Sequence, residues 1–247
     1  MKFWLWLLVL LLLCSLTLNL LLGRWARQYY LELNNTRLDP LGLTAYSPPV
    51  VTPTGASVRF LFYGDSRAYA WPMPAGFDDW AVLNRGLGGQ TTAQILARFD
   101  DHVTPLQPEI VLIQAGINDL KTIGLFPARR DIIIATCKKN LAAMVQRATA
   151  QGATVILTTV FPTGEPSLLR RPFWSAAIAA AIVDVNLFLQ TLANDHVIIF
   201  DSAALLSDEA GRLRPEYRYD LLHLNQNGYA ALNVKLRSIL AERKFED

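Results

Sequence analysis

The sequence predicts a three-layer α/β/α sandwich around a five-stranded parallel sheet, preceded by one N-terminal transmembrane helix. Three observations predict it. After residue 58, short apolar runs alternate with helix-length stretches, the pattern of strands buried on both faces and joined by crossover helices. Glycine-bearing polar clusters follow the first three runs, where the carboxyl ends of parallel strands give way to loops. The N-terminus is rich in leucine and has no polar face.

Phe3 to Leu22 is a run of twenty residues without a charge, softened only by residues such as Ser15, Thr17 and Asn19. About twenty apolar residues at 1.5 Å rise cross a hydrocarbon core of about 30 Å. Trp4, Trp6, Trp25, Tyr29 and Tyr30 lie near its ends, where amphipathic rings prefer to sit. A cleaved signal peptide is the rival reading. Against it, the run is longer than the usual apolar core of a signal, and no A-x-A-like site succeeds it. Leu13 before Cys14 is also too large for a lipoprotein site. Residues 1–32 therefore read as an uncleaved anchor that meets the membrane through residues 3–22. Lys2 on one flank and Arg24 and Arg27 on the other barely discriminate orientation. Because anchors of this length usually export the chain behind them, the remainder is expected to be extracytoplasmic, in the periplasm or at the cell surface.

Residues 33–57 contain Pro40, Pro48, Pro49 and Pro53 and read as a linker. Residues 58–247 then form one domain. Val58–Tyr63 is β-branched and aromatic and reads as the first strand. Ala81–Asn84 is a brief second strand, and Thr91–Asp100 has helical spacing in Ile95, Leu96 and Phe99. Glu109–Gln114 is the third strand, Asp131–Ala150 a long helix and Thr154–Thr159 the fourth strand. Phe173–Ala193 is a helix, His196–Phe200 the fifth strand and Asn225–Arg243 the closing helix. Five such units suit a doubly wound, flavodoxin-like sheet of order 2-1-3-4-5.

Composition excludes several classes. A net charge of +2 in 247 residues gives no cause to expect a nucleic-acid partner. Cys14 and Cys137 are the only cysteines, one in the apolar run and one in a helix, so no disulfide framework is expected. His102, His196 and His223 have no paired spacing, so a zinc site is not expected; an organic cofactor is not expected either. Oligomeric state leaves no mark in the sequence.

The polar residues collect on one edge of the expected sheet. Gly64-Asp65-Ser66 follows strand one, Gly86-Leu87-Gly88-Gly89 strand two and Gly116-Ile117-Asn118-Asp119 strand three. Asp220 and His223 arrive before the last helix. Each has a plain alternative. Asp65 or Ser66 could cap a helix starting near Arg67, and Asn118 or Asp119 could be caps as well. His223 could be a surface histidine. The glycine cluster fails as a dinucleotide fingerprint, because Thr91 stands where the third glycine belongs. Taken together, a serine on a strand-to-helix turn and a histidine three residues after an aspartate are the parts of a nucleophilic hydrolase. Ser66 would attack, His223 would take its proton and Asp220 would orient the ring.

Four ordered blocks carry a family resemblance: Gly64-Asp65-Ser66, Asn84 to Thr92, Gly116-Ile117-Asn118-Asp119 and Asp220-Leu221-Leu222-His223. In these the chain resembles the SGNH hydrolases, or GDSL esterases and lipases, from about Val58 to Leu240. The resemblance implies Ser66, Asp220 and His223 as a catalytic triad. It also implies an oxyanion hole made by the backbone N–H groups of Ser66 and Gly89 with the side-chain amide of Asn118. Arg67 departs from the leucine of the family motif and is expected to tune substrate fit. Asp65 is expected to hold the serine turn. Tyr69, Trp71, Trp80, Phe161 and Trp174 could line an acyl or sugar site, although isolated aromatics are more often core or rim residues. The expected function is a serine esterase or acylhydrolase acting on carboxylic esters, of short-chain acyl, O-acetyl glycan or lysolipid type. An O-acyltransferase using the same serine and a non-catalytic glycan- or lipid-binding module are the alternatives.

Overall fold

The computed structural model describes residues 2–46, 59–77 and 80–242. Val58, Arg243 and residues 47–57 of the expected linker lie outside the described residues. The chain divides into two compact units, Met1–Thr44 and Ala45–Asp247.

The first unit is one helix, α1 (Lys2–Leu38), with no buried residue, followed by a short 3-10 turn at Leu43–Ala45. It is long and apolar enough to cross a membrane, a property it shares with signal sequences. It runs six residues past Glu32, where the anchor was expected to end. The polar residues beyond that point return their hydrogen bonds to the helix: Asn34 Nδ2 donates to Tyr30 O and Thr36 Oγ1 to Glu32 O. Pro40 then bars continuation, since the residue before a proline avoids the helical region.

The second unit has five parallel strands in the order β2-β1-β3-β4-β5. These are β1 (Phe60–Gly64), β2 (Val82–Gly86), β3 (Ile110–Gln114), β4 (Thr154–Thr158) and β5 (Val197–Phe200). Their side chains alternate between two cores, as the two-residue period of a strand requires. Leu61, Tyr63, Val111, Ile113, Val155 and Leu157 face one side. There they meet α3 (Thr92–Ala97), α4 (Phe99–His102), α6 (Arg130–Ala150) and α7 (Ala176–Gln190). Phe60, Phe62, Ile110, Leu112 and Ile156 face the other, covered by α9 (Gln226–Glu242) and by Leu206 of α8 (Ser202–Leu206). Helices on both faces bury every residue of β1 and β3, which explains their unbroken apolar runs, whereas the edge strand β2 leaves Leu83 exposed.

The helix expected over Thr91–Asp100 is instead two, meeting at Arg98. Fully buried, Arg98 donates Nε to Gln90 Oε1 at 2.6 Å and Nη2 to Gly64 O at 3.0 Å. These ties draw the side chain toward the sheet edge. Two further helices, α2 (Ser66–Tyr69) and α5 (Ile117–Leu120), begin directly after β1 and β3.

Candidate active site

The serine turn is set by close approach of two strands. Gly64 has φ +151°, and a Cβ there would lie 1.8 Å from Gln114 O of β3, so no side chain fits. The next residue, Asp65, is the N-cap of α2: its Oδ1 accepts from Arg67 N at 2.8 Å. That leaves Ser66 as the first helical residue, above the carboxyl edge of the sheet. Asp65 is both cap and turn-holder, as its position before the serine suggested. Burial pushes its carboxyl up to about 6, against the pull of Arg67, and its Oδ2 has no hydrogen-bond partner among the described residues.

His223 comes from a turn closed by its own aspartate. Asp220 Oδ1 accepts from the backbone N–H of both Leu222 and His223 at 2.7 Å. Asp220 Oδ2 then lies 2.9 Å from His223 Nδ1. Burial raises the Asp220 carboxyl, but the hydrogen bonds from the His223 ring and these amides outweigh it and hold the group below its ordinary value. An ionised carboxylate only accepts, so Nδ1 carries the proton and Nε2 is left as acceptor. Ser66 Oγ lies 2.9 Å from that Nε2. The structure thus joins three groups from two distant stretches of chain in one hydrogen-bonded line.

The three expected oxyanion donors lie on the loops that follow β1, β2 and β3. Gly89 has φ +77°, a turn conformation that glycine adopts without strain, and a Cβ placed on neighbouring Gly88 would lie 3.9 Å from Ser66 Cβ. Among the described residues, no acceptor takes the backbone N–H of Ser66 or Gly89. Asn118 sits in α5 with Nδ2 donating to Gln90 O at 2.9 Å, which commits one of its two N–H bonds and leaves the other.

Two ties go beyond the sequence motifs. Lys121, one helical turn past Asn118, donates Nζ to Asn118 Oδ1 at 2.6 Å and so fixes which way the amide faces. Its spacing from Asn118 was the available signal. Asp119, which the motif leaves without a role, accepts from Thr92 N at 2.8 Å and Thr92 Oγ1 at 2.7 Å, binding the start of α3 to α5.

Arg67 is corrected outright. It does not face a substrate but is 0% exposed. Its Nε donates to Leu222 O at 2.9 Å, Nη1 to Phe161 O at 3.2 Å and Nη2 to Pro162 O at 3.4 Å. Burial lowers its pKa to about 10, so it stays a cation at neutral pH. Trp71 and Phe161 likewise belong to the core rather than to a substrate wall, and Trp80 packs at its margin. Tyr69 is exposed beyond the serine. Trp174 lines a cavity of about 660 Å³ with Thr163, Ala179, Val183 and Arg212. That cavity touches neither Ser66 nor His223, so it is apart from the hydrogen-bonded line. Among the described residues, no group of three or more His, Cys, Asp or Glu side chains is arranged to hold a metal ion.

Residues 55–231 match the GDSL-like lipase/acylhydrolase family. The chain belongs to that family. Within it, 79 residues are 38% identical to the esterase TesA of Pseudomonas aeruginosa. That stretch is 32% of this chain and 35% of the relative, so the match spans about a third of the curated protein. A lipase/acylhydrolase of Enterococcus faecalis is 25% identical, with 78% of this chain and 100% of that one aligned at a TM-score of 0.55. A GDSL-like lipase of Bacteroides thetaiotaomicron (23% identity; 84% and 98% of the two chains; TM-score 0.60) shares the fold. So does a Streptococcus pneumonia protein (24%; 87% and 99%; TM-score 0.71).

Proposed function

We propose that this GDSL-family chain is a serine esterase that cleaves carboxylic esters through an acyl-serine intermediate. The observation that carries the reading is the hydrogen-bonded line from Ser66 Oγ to His223 Nε2 and from Nδ1 to Asp220, 2.9 Å at each step. Ser66 Oγ attacks the ester carbonyl while His223 Nε2 takes its proton. The N–H groups of Ser66 and Gly89 and the free N–H of Asn118 receive the oxyanion, each such donor being worth about 10²–10³ in turnover. Imidazolium then protonates the departing alkoxide, and water enters by the same base to release the acid. Asp220 holds the ring tautomer and balances the imidazolium charge. No step calls for a metal or an organic cofactor.

The ester is of short-chain acyl, O-acetyl glycan or lysolipid type, and the enzyme works at a membrane through α1, with its second unit on the extracytoplasmic side. Ser66→Ala should abolish hydrolysis of p-nitrophenyl acetate while circular dichroism stays unchanged; retention of full activity removes the nucleophile assignment. A panel of esters of graded chain length then fixes the acyl class.

A further inference from the structure

We infer that the loops around Ser66 form a docking surface for an anionic lipid bilayer, one that sets the mouth of the site against the membrane. The loop after β4 exposes Leu168 at 76%, Leu169 at 87% and Phe173 at 60%. The stretch after β3 that begins at Asn118 exposes Leu125 and Phe126. These two stretches adjoin: a Cβ on Gly124 would lie 2.3 Å from Phe173 O, so Leu125 and Phe173 flank one backbone contact. The loop after β4 borders the serine and histidine turns, where Arg67 Nη1 donates to Phe161 O and Gly164 N to Leu221 O, and the stretch after β3 meets the loop after β2 through Asn118 Nδ2 and Gln90 O. Isolated exposed apolar residues are ordinary; a cluster of large ones on adjoining loops marks an interaction surface.

Charge selects the occupant. Residues 121–130 and 166–175 together hold five Lys or Arg and no Asp or Glu. Since the whole chain is +2, the rest of it is −3, and the positive excess sits on these two stretches. Among the described residues, Arg129, Arg170 and Arg171 form no salt bridge. Exposed apolar side chains on the same two stretches as arginines without a carboxylate partner, Arg129 lying over the Phe126 ring, match an interface of acyl chains beneath anionic headgroups. A helix of this same chain long enough to cross a membrane puts a bilayer within reach.

The full chain in lipid nanodiscs tests this. In a Cys14→Ser background, Leu169→Cys carries a polarity-sensitive dye, Cys137 being buried; Leu187→Cys on α7, also exposed, carries the control dye. The Leu169 dye should shift to the blue in phosphatidylglycerol discs and stay water-like in phosphatidylcholine discs, with the control dye water-like in both. Arg170→Gln with Arg171→Gln should lower the docked-to-undocked ratio about 25-fold, at about fivefold per charge, with p-nitrophenyl acetate hydrolysis unchanged. Water-like emission at Leu169 in both discs overturns the inference, and so does an equal shift in both lipids. A shift that grows with protein concentration in lipid-free detergent means a second copy covers the patch, and also overturns it. Ser66→Ala should keep the shift, which separates failure of the acyl-serine reading from failure of this one.

Discussion

A single guanidinium ties the serine turn to the histidine turn. Arg67 sits one residue after Ser66 and donates to Leu222 O, one residue before His223. Arg67→Leu would leave Leu222, Phe161 and Pro162 carbonyls without that donor and Asp65 without its nearest cation. Breaking a buried ionic cluster from one side costs about 3–5 kcal/mol, so the melting temperature should fall by several degrees and kcat/KM by more than tenfold. Arg67→Lys keeps the charge but not the fork and should recover only part of both; unchanged melting in Arg67→Leu would refute the tie. Sequence could not reveal this role, because the second residue of a four-residue helix has no periodicity to say whether it faces in or out. Asp65 carries a pH signature of its own. Its folded pKa of about 6 lies above the unfolded value of about 3.9, so the native state binds the proton more tightly. Its contribution is complete below about pH 4 and fades as pH rises through about 6, by roughly 3 kcal/mol in all. Thermal unfolding should therefore move to lower temperature across that window, and Asp65→Asn should flatten the trend.

At the scale of elements, α5 presents the amide and its own next turn steers it. Lys121→Met removes a charged hydrogen bond to Asn118 Oδ1, a contact worth about 1.5–3 kcal/mol. If it serves the transition state, kcat should drop about tenfold or more with KM little changed, and Lys121→Arg should restore part of it. An equal loss in substrate affinity would show that Lys121 serves binding instead. The turn from Asp220 to His223 makes a second claim. Because its hydrogen bonds hold Asp220 below the ordinary carboxylate value, its contribution to stability persists above the unfolded pKa and is lost only as pH falls through the lower folded one. The acid limb of kcat/KM should then carry no contribution from Asp220 and have unit slope; a slope of two would mean that Asp220 protonates in the same range. The strands and the four motif blocks were legible because continuous apolar runs and their trailing glycines are local in sequence, while the strand order followed from the doubly wound pattern of five βα units. The break at Arg98 was not, since it depends on Gly64 and Gln90, residues that only the fold brings alongside. A lone aromatic gives no face, so the core places of Trp71 and Phe161 followed only from the general tendency of such residues to be core or rim.

Taken whole, the molecule keeps its membrane-length helix and the groups of its candidate site in separate units. Ser66, Gly89, Asn118, Asp220 and His223, the sheet and both helical layers lie in the unit Ala45–Asp247, and α1 lies in the other. A chain that begins after Leu38 keeps the complete hydrophobic core, because α1 contributes no buried residue to it. That chain should fold, hydrolyse p-nitrophenyl acetate at the full-length rate and leave the membrane fraction in zwitterionic lipid. On phosphatidylglycerol vesicles it should still sediment at low salt and be released as salt rises, since screening shortens the reach of its arginines. Loss of soluble-ester turnover on truncation would show that α1 contributes to the site, and that attachment and chemistry are not separable.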